Sequence, residues 1–255
     1  MPDKRQTTYE DMFGIIKDCL NSRHLELSAE WFMSDFEVGI RNGFSLHFPE
    51  VTVKGCHFHM AKAFWKRVVN KGFKTVYSDS KNHPKFGGFI RACIGIAYCP
   101  LNRLSEALEG FKFLANQLPE KQKRFAVEYV EYIERVWIKG NFPPATWNMF
   151  QHKGVRTNNN AEAYNYRLGN KKKISKHPNP HTFVDVLRSE IGIGLDNAIS
   201  ADVAQPNIRN KPPKSRTHEK KLTDLMDKLE RGNSNLMTYL KAVGALSIIY
   251  DIIKN

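Results

Sequence analysis

Three short segments hold the side chains of this sequence that are best suited to chemistry. They are residues 34–37, 55–59 and 156–162. Asp35 and Glu162 are candidate ligands of a hard divalent cation, because such ions take carboxylate oxygens, which can come from distant parts of a chain. The stretch between the two acids is too long for a loop and long enough for a block of helices. A third acid is expected in such a centre, and none is found at a comparable position in the sequence.

The middle segment contains Cys56, His57 and His59 in a C-x-x-H arrangement. A structural zinc site normally takes four ligands, and the sequence has no second pair of cysteines or histidines at a customary distance, so zinc is the weaker hypothesis. In the simplest alternative, Cys56 is a small buried hydrophobic residue and His59 is a helix-start histidine bonded to the backbone. The spacing alone leaves these possibilities open.

A β-α-β unit is predicted around the first acid. Residues 29–34 and 51–53 form short apolar runs that are typical of buried strands. Between them, apolar residues four positions apart predict a connecting helix. Asp35 would then lie at the carboxyl end of its strand, where open α/β sheets commonly bind their ligands.

Helical periodicity dominates the rest of the chain. A first helix is expected behind Thr7 or Thr8, either of which could cap it. The aromatic stripe between positions 125 and 137 is far more typical of helix packing than of a ligand site. Apolar residues recur at helical spacing in the following ranges: 9–20, 58–68, 86–97, 104–118, 125–137, 222–229 and 236–253.

Glu162 is expected in the first turn of a helix. The helix should begin within residues 158–160, because asparagine side chains cap exposed backbone N–H groups well. An acid in the first turn also stabilises a helix through its dipole, without any further function. From these residues alone, that simpler interpretation is preferred.

Basic residues are unevenly distributed along the chain, whose formal net charge is +13. Residues 54–85 hold eight lysines and arginines against one acid, interleaved with aromatic residues, and residues 209–221 hold six against one. Such runs are often only a solvated surface or a flexible tail. The size of the imbalance favours a polyanionic partner.

Read in order, these segments resemble the transposase domain of Mutator-like elements (MULE). The resemblance covers most of residues 4–195, and no single piece would suffice. In that family the catalytic core has an RNase H-like fold with a DDE triad. The pieces that match in family order are 31–37, 53–59, 142–148 and 157–162.

The resemblance implies specific roles. Asp35 matches the second Asp of the triad and Glu162 matches the final Glu, so both would be catalytic residues that bind Mg²⁺ or Mn²⁺. Cys56 and His59 match the C-x-x-H of the family and are expected to support the site structurally. Residues expected to contact DNA are Lys62, Lys66, Arg67, Lys71, Lys74, Arg156, Asn158 and Asn159.

The strand that carries the first Asp in the family has no counterpart in this sequence. We therefore expect an N-terminally truncated, transposase-derived DNA-binding protein that is catalytically incomplete and acts in the nucleus. A domesticated, non-catalytic module that binds DNA or another protein is the alternative. The four cysteines show no paired framework, which favours a reduced, intracellular setting, and no segment is apolar enough to predict a membrane span.

The predicted fold is α/β and mostly helical. It consists of a partial RNase H-like core, interrupted by a helical insertion, and a C-terminal helical appendage. The apolar faces of the last helices should pack on their own domain or, alternatively, form a homo-oligomer. The predicted boundaries are 1–58 for the partial core, 59–145 for the insertion, 146–196 for the return to the core, 197–218 for a basic linker and 219–255 for the C-terminal helices.

Overall fold

Two compact units make up the chain. The first consists of Met1–Asn158 and Lys220–Asn255, and the second is Asn159–Glu219. The structure is a computed structural model, and it describes residues 3–152, 155–169, 179–203 and 213–246.

A parallel β-α-β unit lies in the N-terminal part of the first unit, as predicted. Strand β1 (Trp31–Ser34) pairs with strand β2 (Thr52–Gly55) in a register that runs from Trp31 opposite Thr52 to Ser34 opposite Gly55. Helix α2 (Val38–His47) makes the crossover that two parallel strands require. Within the described residues the sheet has these two strands, so the fold is α/β and mostly helical. The wider RNase H-like core stays a prediction.

Helix α1 (Gln6–Asn21) packs against α2 over a small aromatic core. The predicted threonine cap is wrong, because the helix begins at Gln6 and no side chain caps it. Thr8 therefore lies inside the first turn, and its hydroxyl donates to the Asp3 carboxylate at 2.6 Å. The buried core residues are Tyr9, Phe13, Phe44, Phe48 and Val51.

A block of helices follows β2, as the periodicity predicts. Its first helix ends before Gly72, whose φ of +78° suits a residue without a Cβ atom. The sequence did not predict α4, which is too short to show a period. The helices are α3 (His57–Asn70), α4 (Lys74–Ser78), α5 (Pro84–Ile94), α6 (Leu104–Asn116) and α7 (Glu120–Tyr132), with 3₁₀ turns at Gly95–Tyr98 and Leu101–Arg103.

The aromatic stripe of α7 lies in the core of this block, as predicted. Tyr129 is fully buried, and its hydroxyl donates to the Phe64 carbonyl at 3.1 Å. The stripe does not continue as one regular helix, since residues Ile133–Ile138 form a π-helical turn. This turn places Trp137 in the core, where its indole N–H donates to the Tyr132 hydroxyl at 3.1 Å.

The chain turns back toward the sheet after the two prolines at 143 and 144. A short helix α8 (Pro144–Trp147) contacts β2. Lys54 of β2 donates its ammonium to the Ala145 carbonyl at 2.8 Å, and its partial burial lowers the pKa of the ammonium. One basic residue of the 54–85 run therefore makes a structural contact within the protein.

The C-terminal helices belong to the same core as the helical block. Helix α11 (Pro213–Glu230) is followed by α12 (Leu236–Leu246), whose buried face packs on α5. A Cβ atom on Gly244 would lie 1.8 Å from the Arg91 carbonyl oxygen, so the two helix backbones touch. The described part of this apolar face is occupied within the chain, which favours packing on its own domain over self-association. Residues 247–255 of the predicted face lie outside the described residues.

The second unit contains helices α9 (Asn159–Gly169) and α10 (Pro180–Val203). Arg167 pairs with the buried Glu190 at 2.6 Å. Because α10 extends to Val203, the first part of the predicted linker is helical. Most of its remainder, with the start of the basic run at 209–221, lies outside the described residues.

Candidate functional site

Asp35 is the first residue after β1, at the carboxyl end of the strand as predicted. About half of its side chain is exposed (51%). The side-chain amide of Asn158 donates to one carboxylate oxygen of Asp35 at 3.0 Å. The His59 Nε2 atom lies 4.0 Å from the other oxygen. The carboxylate is therefore held by groups from two later parts of the chain.

The C-x-x-H segment fixes this arrangement. Cys56 is fully buried, and its backbone N–H donates to the Ser34 carbonyl at 2.8 Å. Its thiol donates to the side-chain oxygen of Asn158 at 3.1 Å, and the Asn158 backbone N–H points back at the sulfur at 3.4 Å. The backbone N–H of His57 donates to the backbone carbonyl of Arg156 at 2.9 Å. We call Asp35, Cys56, His59 and Asn158 the strand-end cluster.

Gly55 leaves the space that the Phe36 ring occupies beside the strand-end cluster. A Cβ atom at this position would lie 2.4 Å from the ring of Phe36. The ring therefore passes directly over the end of β2, where it meets Trp137 edge-on with 4.8 Å between ring centroids. This packing joins the residue after Asp35 to the core of the helical block.

A second acid near the strand end is Glu37, which the sequence did not single out. The Tyr9 hydroxyl donates to one of its oxygens at 2.6 Å, and the Lys4 ammonium donates to the other at 3.2 Å. The hydrogen bond to Glu37 raises the pKa of Tyr9 to about 12, and the charges of Glu37 and Asp35 add to the effect. The same bond lowers the pKa of Glu37. Both oxygens of Glu37 are therefore engaged within the chain.

The basic residues predicted to contact DNA in α3 and directly after it fall into two groups. Lys66, Arg67 and Lys71 line a cleft of about 420 Å³ together with Ala63, Asn70 and Tyr132. Lys62 and Lys74 do not line it. The Lys62 ammonium lies 5.9 Å from the centroid of the Phe58 ring instead.

The other three predicted DNA contacts are Arg156, Asn158 and Asn159. Arg156 donates to the His152 carbonyl at 2.8 Å. Both polar atoms of the Asn158 side chain are used inside the strand-end cluster. Asn159 is exposed at the start of α9. Two of the three therefore have structural contacts that the sequence did not indicate.

Glu162 lies in the first turn of α9, and the predicted helix start is confirmed. It belongs to the second unit, whereas Asp35 belongs to the first. Their approach to a common ion stays a prediction.

Part of the sequence matches a known protein family, and this part contains most of the site. Residues 1–63 match the MULE transposase domain. The match covers α1, the β-α-β unit and the first half of α3, and so includes Asp35, Cys56 and His59. It confirms the resemblance to MULE transposases for this part of the chain. Neither the curated proteins nor the solved structures give a significant match.

The resemblance implies divalent ions, and the strand-end cluster is the part of the described chain that would have to hold them. Among the residues that the structure describes, no group of three or more His, Cys, Asp or Glu side chains is placed to hold a metal ion. A two-ion centre needs several hard oxygens around both ions. The cluster offers one carboxylate, a thiol, an amide and an imidazole, so it does not fit such a centre on its own.

In the ranges that the structure describes, every helix is too short or too polar to cross a bilayer.

Proposed function

We propose that this chain is a MULE transposase-derived protein that binds nuclear DNA and, in its 255-residue form, does not cut and join it. The observation that carries the proposal is the composition of α3. Its first turn holds the His59 that faces Asp35, its later turns carry Lys62, Lys66 and Arg67, and Lys71 follows directly after its last residue. One helix thus connects the transposase-like strand end to a basic surface of the first unit.

The number of carboxylates supports the second half of the proposal. The resemblance assigns Asp35 and Glu162 to two of the three triad positions. Glu37 is the nearest additional acid in sequence, but Tyr9 and Lys4 occupy its oxygens. Two carboxylates can hold a hydrated Mg²⁺ or Mn²⁺ weakly, but they cannot fix a second ion against a scissile phosphate.

DNA binding is tested by a salt titration of the full chain with a labelled duplex. Each phosphate contact contributes about 0.9 to the slope of log K against log salt concentration. Replacing the five bases Lys62, Lys66, Arg67, Lys71 and Lys74 with alanine should lower the affinity and flatten this slope. A matched control replaces five bases of the charge-balanced region 101–135: Lys112, Lys121, Lys123, Arg124 and Arg135.

Two outcomes of the salt titration would contradict the proposal. Equal slopes for the two five-residue variants would remove the α3 surface from the interface. Absence of binding by the unmodified chain at about 50 mM salt would refute DNA binding altogether.

Catalysis is tested by incubating the chain with supercoiled plasmid and Mg²⁺ or Mn²⁺. We expect no metal-dependent nicking. Nicking that disappears in Asp35→Asn would refute the proposed inactivity.

A further inference from the structure

The cleft on α3 has the features of a built site. Ala63, Lys66, Arg67, Asn70 and Lys71 are three or four positions apart, so they lie along one face at the end of the helix. Ala63, Arg67 and Tyr132 are partly buried, whereas Lys66, Asn70 and Lys71 are exposed. The cleft therefore has an apolar, aromatic floor beneath a positively charged rim.

Arg67 is held in a defined position. Its guanidinium lies 4.3 Å from the centroid of the Tyr132 ring, within the range of a cation–π contact. The ring is itself held by the Trp137 N–H, which donates to the Tyr132 hydroxyl at 3.1 Å. Trp137 is 3% exposed, so the support comes from the core. A guanidinium fixed in this way loses less conformational freedom on binding an anion than a free lysine does.

An anionic group already occupies one edge of the rim. Glu128 of α7 accepts a hydrogen bond from the Lys71 ammonium at 2.8 Å. This bond lowers the pKa of Glu128, and the positive charge of Arg67 lowers it further. The carboxylate therefore lies close to both cations and competes with any anion that they could bind.

We propose that this cleft seats one sugar–phosphate unit of a nucleic-acid backbone. The inference rests on the proposed DNA binding and names the place where the backbone is anchored. The phosphate is bound by Arg67, Lys66 and Lys71, and the sugar lies against Ala63 and Tyr132. Glu128 weakens binding by holding Lys71. Lys62 and Lys74 contribute only long-range charge.

The geometry of Arg67 is tested without changing charge. Arg67→Lys keeps the cation but loses the planar fork and the stacking, so the affinity for a labelled duplex should fall roughly two- to fivefold. The control is Arg124→Lys, since Arg124 is an exposed, ion-paired arginine of α7 outside the cleft. The DNA affinity of the Arg124→Lys variant should be unchanged.

The competing carboxylate is tested with Glu128→Gln. Releasing Lys71 should tighten DNA binding by more than the same change at Glu120. Glu120 is the matched control, because it pairs with Arg124 on the same helix at 3.2 Å and lies outside the cleft. Both changes remove one negative charge, so a difference in DNA affinity between the two variants reports the position of the carboxylate.

The outcomes separate the two proposals. If the unmodified chain does not bind DNA, the proposed function fails. If it binds, but Arg67→Lys and Glu128→Gln behave like their controls, the cleft assignment fails and DNA binding stands. The same titrations with heparin, a sulfated polyanion, test the ligand. Equal effects on heparin and DNA would overturn the sugar–phosphate assignment in favour of general polyanion binding.

Discussion

Replacing Asn158 with aspartate should destabilise the strand-end cluster in a pH-dependent way. The change places a second carboxylate 3.0 Å from the carboxylate of Asp35. At this distance two charges repel by about 1.4 kcal/mol in a water-like dielectric and by about 5 kcal/mol at an effective dielectric constant of 20. Asp35 is half exposed, so the repulsion should lie near the lower end, at about 2 kcal/mol.

The lost hydrogen bond adds to this repulsion. An exposed bond of this kind contributes about 1 kcal/mol. The total of about 3 kcal/mol corresponds to a fall in Tm of roughly 6–12 °C for a chain of this size. Asn158→Ala loses this bond and the weaker bond from the Cys56 thiol without gaining the repulsion, so its Tm should fall by less, roughly 2–6 °C.

Thermal unfolding between pH 5 and pH 8 distinguishes the two variants. Two carboxylates repel only while both are charged, so protonation of one of them relieves the repulsion as the pH falls toward about 4, the usual pKa of a carboxyl in an unfolded chain. The Tm deficit of Asn158→Asp should therefore shrink toward that of Asn158→Ala, whereas the latter deficit should stay constant. Identical deficits at every pH would refute the contact between Asp35 and Asn158.

Three further predictions concern other parts of the first unit. Gly244→Ala should lower Tm strongly, because its Cβ atom would lie 1.8 Å from a carbonyl oxygen of α5. Gly88→Ala on α5 meets only an ordinary contact at 3.9 Å and should be neutral or slightly stabilising; a matching loss in the two variants would contradict the packing of α12. Tyr9→Phe should cost about 1 kcal/mol at neutral pH. The stabilisation that Tyr9 provides is present below pH ~10 and lost as the pH rises toward its folded pKa of about 12. It is also lost as the pH falls through the lowered pKa of Glu37, so a pH-independent deficit would count against the bond. Of the four cysteines, all of which the structure describes, Cys19 alone is exposed, and a thiol reagent should modify one equivalent in the native protein and four in denaturant.

The sequence predicted the elements whose patterns are local. The short apolar runs at 29–34 and 51–53, with helical spacing between them, were sufficient to predict the β-α-β unit and the position of Asp35 at a strand end. The helices of the central block followed from their apolar period in the same way. These patterns arise from burial of one face, which each element shows by itself.

Features that depend on tertiary contacts could not be predicted. The pairing of Tyr9 with Glu37 joins two elements that are distant in sequence, and neither residue has a local pattern that indicates it. The bonds that Asn158 makes to Asp35 and Cys56 likewise arise only in the folded chain. The spacing of Ala63, Lys66, Arg67 and Asn70 along α3 could have indicated a basic face, but the Tyr132 floor beneath it comes from α7.

The packing of α12 on α5 affects how the protein folds during synthesis. The Tyr239 hydroxyl donates to the Tyr98 carbonyl across 141 positions of sequence. At about 5–20 residues per second, a ribosome needs roughly 7–28 s to make the intervening chain. During that time the face of α5 that α12 covers stays open and apolar. The helical block therefore acquires its final stability late, and it is most exposed to aggregation and to chaperones while the chain is still growing.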